Sequence, residues 1–229
     1  MKLRFKALVF SVLAILGADK ANALFVPVPL SEDSLTAVYV GADARAHYNP
    51  SFKLNQVGAS AAVVYNFFDL LEVGLQAHGG TNDLVRGLFK SDTSIAWNIG
   101  ADVMVRYISS AVDLFFYGLQ GQIGYDYLST QSGGVADKNN INVIVGMPLG
   151  IKLEYVASLY VHPSLEFGAR NLAKTGVWGG RVGGSVAIGT TISFGEFDII
   201  AEFAPRTDDL GDASANAGFN AYLGAGFAL

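Results

Sequence analysis

The sequence predicts an all-β chain, an antiparallel up-and-down transmembrane β-barrel of about ten strands, with eight and twelve as the alternative counts. Three observations point there. Apolar and polar residues alternate almost without a break from residue 35 to the C-terminus. Charged residues sort onto one of the two faces that this alternation defines. The chain is 51% apolar and only 15% charged, yet past its N-terminal segment it holds no uninterrupted apolar run of the ~20 residues a membrane helix needs.

The strands follow in order. In "LTAVYVGADARAH", Thr36, Val38, Val40, Ala42, Ala44 and Ala46 share one face, and Tyr39, Gly41, Asp43, Arg45 and His47 share the other. "QVGASAAVVYNF" sets Val57, Ala59, Ala61, Val63, Tyr65 and Phe67 against Gln56, Gly58, Ser60 and Asn66. "LEVGLQAH" opposes Leu71, Val73, Leu75 and Ala77 to Glu72, Gly74, Gln76 and His78. "SIAWNIGADVMVRY" opposes Ile95, Trp97, Ile99, Ala101, Val103, Val105 and Tyr107 to Asn98, Asp102 and Arg106. Further strands are expected near residues 114–127, 141–155, 159–171, 181–194, 197–205 and 216–229.

The apolar faces so assigned carry no formal charge. The opposite faces hold the acids Asp43, Glu72, Asp102, Asp126, Glu154, Glu166, Asp198 and Glu202, and the bases Arg45, Arg106, Lys152, Arg170 and Arg181. All three histidines, His47, His78 and His162, fall there too. Connections alternate as well. Short turns are read at "NFFDL", "ISSAVD", "VAS" and "GE", and longer polar loops at "YNPSFK", "GGTNDLVRGLFKSD", "STQSGGVADKNN", "NLAKTGVWGG" and "RTDDLGDAS". Short turns on one side and long loops on the other are the habit of membrane barrels.

Alternation alone does not say which face is inside. A secreted soluble barrel holding a greasy ligand would turn its apolar face inward. Against that, strands of this length match the ~9–11 residues needed to cross a bilayer at a tilt. Aromatic residues also crowd the ends of the apolar faces: Tyr65, Phe67, Tyr107, Phe115, Tyr155, Phe194 and Phe197 near the short turns, and Trp97, Tyr125, Tyr127, Phe203 and Phe219 near the loops. Two such girdles suit headgroup depth. The polar face is rich in glycine (Gly41, Gly58, Gly74, Gly100, Gly118, Gly146, Gly168, Gly183), unlike a solvated surface. The apolar face is therefore expected to meet lipid.

The N-terminus carries Lys2, Arg4 and Lys6, an apolar stretch from Ala7 to about Ala18, and the small-residue pattern Ala21-Asn22-Ala23. This is the form of a cleaved secretory signal peptide over residues 1–23. Residues 24–34 then read as a short periplasmic lead-in and 35–229 as a single barrel domain. Removing residues 1–23 takes away Lys2, Arg4, Lys6, Lys20 and Asp19, so 15 bases and 20 acids become 11 and 19, a net charge near −8. Such a chain is a poor nucleic-acid ligand. With no cysteine, it has no disulfide framework and no thiol chemistry.

The chain finishes on "YLGAGFAL", inside an alternating run. A strand edge left open in lipid finds no water, so a last strand must pair with the first. The run resembles the C-terminal signal of outer-membrane β-barrel proteins, with Tyr222, Gly224, Phe227 and Leu229 in the signal positions; those signals usually end in Phe and this one ends in Leu. The resemblance is to small Gram-negative barrels of the OmpA-type or ten-stranded class. It implies a bacterial outer-membrane location, contact with outer-membrane lipid and lipopolysaccharide, and the outer-membrane insertion machinery as an assembly partner.

For chemistry, the weak candidates are His162, Ser164 and Glu166 in "HPSLE". Residues two apart share a strand face, so an imidazole could activate a hydroxyl. Outer-membrane phospholipase A and lipid A deacylases use a His-x-Ser pair. Two points weigh against catalysis: the pair lies on the polar face, and it sits near a short turn. An omptin-like protease would use rim groups such as His78, Asp83, Asp92, Asp208 and Asp209. The histidines and carboxylates follow no metal-ligand spacing, and no cofactor or metal is expected. The expectation is a non-enzymatic barrel with a structural or passive role and a charged, mostly filled lumen. Within it Arg170 and Arg181 would pair with Glu166 and Glu202. Interior glycines could leave narrow water paths, a porin-like passage whose acid excess favours cations. The alternative is a surface adhesin acting through its loops.

Overall fold

The computed structural model describes residues 36–48, 52–67, 71–82, 96–112, 114–129, 138–153, 156–172, 177–207, 210–212 and 217–229. Residues 1–34, expected from sequence to hold a signal peptide and lead-in, lie outside these residues, as do Glu154, Tyr155, Asp83, Asp92, Asp208 and Asp209. Among the described residues no helix is long and apolar enough to cross a membrane.

The strands are β1 (Thr36–Tyr48), β2 (Phe52–Phe67), β3 (Leu71–Asn82), β4 (Ala96–Val112), β5 (Phe115–Ser129), β6 (Lys138–Gly146), β7 (Leu149–Leu153), β8 (Ala157–Leu172), β9 (Val177–Phe194), β10 (Phe197–Thr207) and β11 (Ala217–Ala228). Every pairing is antiparallel. The sheet order β4-β3-β2-β1-β11-β10-β9-β8-β6-β5 is closed by β4 on β5. β6 and β7 are two segments of one stave, so the barrel has ten staves.

That split corrects the expectation of one continuous strand over 141–155. The interruption falls at Met147-Pro148. Register is unchanged across it: Gly146 pairs Ser164 and Leu149 pairs Val161 on β8. Pro148 has no N–H to give the ladder, but its carbonyl still accepts from Gly118 N at 2.9 Å, and Met147 N donates to the Pro163 carbonyl at 3.0 Å. Proline breaks the ladder without moving the stave.

The first and last strands meet along the register Ala37↔Ala228 to His47↔Gly218. Leu229 N donates to the Thr36 carbonyl at 2.8 Å. At the same end, Phe194 and Phe197 flank a two-residue turn in which Gly195 takes φ 67. A glycine at that position suits the hairpin twist at little cost.

The opposite end corrects two loop expectations. Half of "YNPSFK" and most of "NLAKTGVWGG" are strand: β1 ends at Tyr48 and β2 begins at Phe52, and β8 ends at Leu172 and β9 begins at Val177. Both hairpins continue pairing through polar residues, because a strand outside the apolar zone still satisfies its backbone in a ladder.

Burial alternates along the strands with the opposite sense to a soluble protein. The exposed face carries Leu75 at 62%, Ile99, Leu119, Ile123, Tyr125, Ile188 and Leu223. The buried face carries Asp43, Glu72, Gln76, His78, Asp102, Arg106, Gln120 and Asp126. Near the tight turns the outer face holds Tyr65, Phe67, Tyr107, Phe115, Phe194 and Phe197, all exposed. Tyr65 and Phe67 meet edge-on with centroids 4.6 Å apart. Exposed Trp178 and the Phe203–Phe219 pair, 5.0 Å between centroids, lie towards the loop end.

Candidate functional site in the barrel lumen

Apolar clusters occupy part of the interior, the two larger ones as follows. Ala37, Tyr39, Ala62, Val64, Met104 and Ile200 form one, with Tyr222 packed against it. Ile108, Phe116 and Tyr160 form the other. The polar face of the strands thus also supplies an interior apolar core.

Fully buried within that setting is Arg106, 0% exposed. It faces Glu72 directly across β3 and β4. Its Nε donates to Glu72 Oε2 at 2.7 Å, and its Nη2 bonds the same oxygen. A guanidinium this deep needs a carboxylate partner, because an unpaired charge away from water costs several kcal/mol or more.

Towards the loop end a hydrogen-bonded belt runs round the wall. His78 on β3 lies between two acids, with Nδ1 3.0 Å from Asp102 Oδ2 and Nε2 2.8 Å from Asp126 Oδ1. Asp126 Oδ2 accepts from Asn140 at 2.8 Å and Asn142 at 3.0 Å. Asn142 Oδ1 accepts from Asn140 at 2.9 Å and from Arg181 at 3.5 Å. Arg181 donates to Glu166 Oε1 at 2.6 Å, and Arg206 to Glu166 Oε2 at 3.1 Å. The belt therefore links β3, β4, β5, β6, β8, β9 and β10.

Several lumen glycines are filled by neighbouring side chains. At Gly41 and Gly224 a side chain would strike the Tyr222 ring; at Gly100, His78; at Gly146, His162; at Gly168, Arg181. Each glycine is the space into which a neighbour folds, the close packing that protein interiors require. Among the described residues, one recess, lined by Ser164, Glu166, Ser185, Arg206 and Asn220 with Ile144, Gly184 and Ala204, has a volume of ≈ 10 Å³, about one water.

No protein-family model matches the sequence, and a comparison with curated proteins returns no similar sequence. Among solved structures, the translocator domain of the autotransporter NalP from Neisseria meningitidis is similar with a TM-score of 0.51 at 8% identity, over 88% of this chain and 91% of that one. The β domain of the Bordetella autotransporter BrkA gives 0.51 at 8% identity, over 85% and 98%. The attachment protein Ail of Yersinia pestis is a looser likeness, 0.38 at 12% identity over 85% and 97%. The fold is that of an outer-membrane β-barrel.

Within this outer-membrane-type barrel the residues singled out from sequence are placed as follows. Asp43, Glu72, Asp102, Arg106, Asp126, Glu166 and Glu202 are buried in the lumen, and Lys152 is part-buried, its backbone paired with Ser158. Asp198, part-buried near the β9–β10 turn, accepts from Ser193 Oγ at 2.6 Å. Arg45, His47 and Arg170 lie on strands whose side chains fall outside the described set, so the pairing expected for Arg170 does too. The expected Arg181 pair forms with Glu166, whereas Glu202 accepts from Tyr160 Oη at 2.8 Å.

The weak catalytic candidates do not assemble into a relay. Ser164 Oγ is 2.8 Å from Ser185 Oγ, and Glu166 is engaged by two arginines. Both ring nitrogens of His162 are buried without a partner. In the C-terminal run, Tyr222 and Gly224 face the lumen, while Phe227 and Leu229 are exposed on the outer side.

Sequence reading missed Arg206, because the strand was ended at Pro205. The signal was present: Glu202, Ala204 and Arg206 continue the period of two. It also gave no weight to the buried amides Gln120, Gln122, Asn140 and Asn142, since neutral polar residues carry no charge pattern.

Proposed function

We propose that this chain is a passive, structural barrel of a bacterial outer membrane, exported by its N-terminal signal and inserted by the general assembly machinery, with a lumen closed to ions. The observation that carries the reading is the lumen belt. Asp126, Asn142, Arg181, Glu166 and Arg206 are joined by hydrogen bonds, and His78 lies between the Asp102 and Asp126 carboxylates, which leaves little fixed charge to replace the hydration shell of a passing ion. Side chains fold over Gly41, Gly100 and Gly146 and fill the space at those positions.

The test is a single-channel recording. Barrel purified from the membrane and inserted in a planar bilayer under asymmetric salt is expected to be silent. Steady, cation-preferring steps would replace this reading with a narrow pore.

A second reading, surface recognition, is favoured by the β8–β9 hairpin. Pairing of β8 with β9 runs to Leu172↔Val177, whereas the described β10–β9 ladder stops at Thr207↔Gly184. The hairpin extends past its neighbour and carries exposed Trp178. Replacing residues 171–178 by a two-residue turn would abolish binding to host or cell surfaces and leave the barrel folded. Undiminished binding would refute that reading.

A further inference from the structure

The connection between β10 and β11 comes back onto the barrel wall. Among the described residues it consists of a single 3-10 turn, Leu210–Asp212. Leu210 Cδ2 lies 3.8 Å from the point that a Cβ on Gly184 would occupy, and Leu165 Cδ2 lies 3.7 Å from it. Gly184 belongs to the outward period of β9, since Val182, Val186 and Ile188 are exposed while Gly183 and Ala187 are buried. The leucine therefore reaches over the outside of the wall, not into the lumen.

The depth of this contact follows from register. Gly184 pairs Leu165 on β8 and Thr207 on β10. Thr207 stands two residues loopward of Pro205, the partner of Phe219, whose ring meets Phe203 on the outer face. Outward aromatics of this kind mark headgroup depth. Two residues further towards the loops Phe167 pairs Val182, and both are exposed. Leu210 thus has apolar outer wall on both sides of it, Leu165 below and Phe167 with Val182 above.

With no side chain, Gly184 leaves a notch in an outward row of Val182, Val186 and Ile188. Leu210 covers part of that notch and stays 50% exposed. Apolar surface left bare in water is unfavourable, and the lipid that meets Leu165 and Val182 continues over Leu210. We propose that Leu210 is an interfacial anchor: seated over Gly184, it turns its free side to the boundary between acyl chains and headgroups, and holds the β10–β11 connection against the membrane. Lipid is the partner by continuity with the apolar outer face. The connection is then not a free-standing recognition loop, which leaves the β8–β9 hairpin as the projecting element. The inference rests on the membrane-spanning reading.

The chain has no native cysteine, so Leu210→Cys carries a single environment-sensitive dye. The full barrel is placed in phospholipid nanodiscs, whose two faces both meet water. A nitroxide on the upper acyl chain and aqueous iodide serve as quenchers, and Leu165→Cys, on the wall itself, calibrates lipid contact. The dye at 210 is expected to follow the dye at 165, quenched several-fold more by the lipid nitroxide than by iodide. Adding Gly184→Val, which fills the seat, is expected to shift the dye at 210 towards iodide. Stronger iodide quenching at 210 while 165 reports lipid overturns the anchor alone. Iodide quenching at both overturns the anchor together with the membrane-spanning reading. Unchanged quenching in folded Gly184→Val overturns the seat, and with it the proposal; should that variant not fold, the comparison of 210 with 165 decides by itself.

Discussion

Arg106 and Glu72 show what a single residue risks in this lumen. The pair is buried and doubly bonded, so removing one partner strands the other charge. Arg106→Met is expected to destabilise the barrel by ~3–5 kcal/mol, while Arg106→Met with Glu72→Leu recovers most of it. Urea unfolding in lipid vesicles, run as a double-mutant cycle, checks this. A double variant no more stable than the single one would show that the pair's packing, not its charge, is what matters. Sequence made both residues legible as lumen groups through the period of two. It did not reveal that they face each other, because register depends on where each hairpin turns. It likewise placed Ser164 two residues from His162 but could not foresee that Ser185, on the next strand, would claim its hydroxyl.

Among elements, the β1–β11 seam is where glycine matters most. Gly41 pairs Gly224, and the Tyr222 ring lies over both, with Asp43 and Glu202 directly across from Tyr222 on either side. Gly41→Val or Gly224→Val would drive that ring out of its place, at a cost of ~1–3 kcal/mol. The expected readout is a lower urea midpoint and a smaller fraction of heat-modifiable, folded band on gels. An unchanged midpoint would mean that Tyr222 has other room. The element boundaries were legible to within a few residues in the apolar zone. They were least legible at "YNPSFK" and "NLAKTGVWGG", where polar composition reads as loop although the ladder continues. Pro148 hid a different fact, since nothing local says that a stave interrupted by proline keeps its register on both sides.

At the scale of the whole molecule, the arrangement is an inverted core: apolar residues outside, paired charges and amides inside. Depth then sets the cost of an outward charge. Ile123, midway along β5 and paired with Val103 and Val143, is exposed on the outer face. Ile123→Arg is expected to cost ~2–4 kcal/mol, and Tyr65→Arg near the tight turns only ~0–1. Equal costs in a vesicle unfolding titration would place the apolar belt elsewhere. Alternation, charge sorting and the absence of a long apolar run were enough, by themselves, to determine an all-β chain with one charged and one apolar face, because strand side chains must point to opposite sides. Only the tertiary structure decided which charges meet, that glycines receive neighbouring rings, and that Gln76, Gln120, Gln122 and His162 remain unmet. Those facts depend on register across ten staves, and register is a property of the closed barrel rather than of any strand within it.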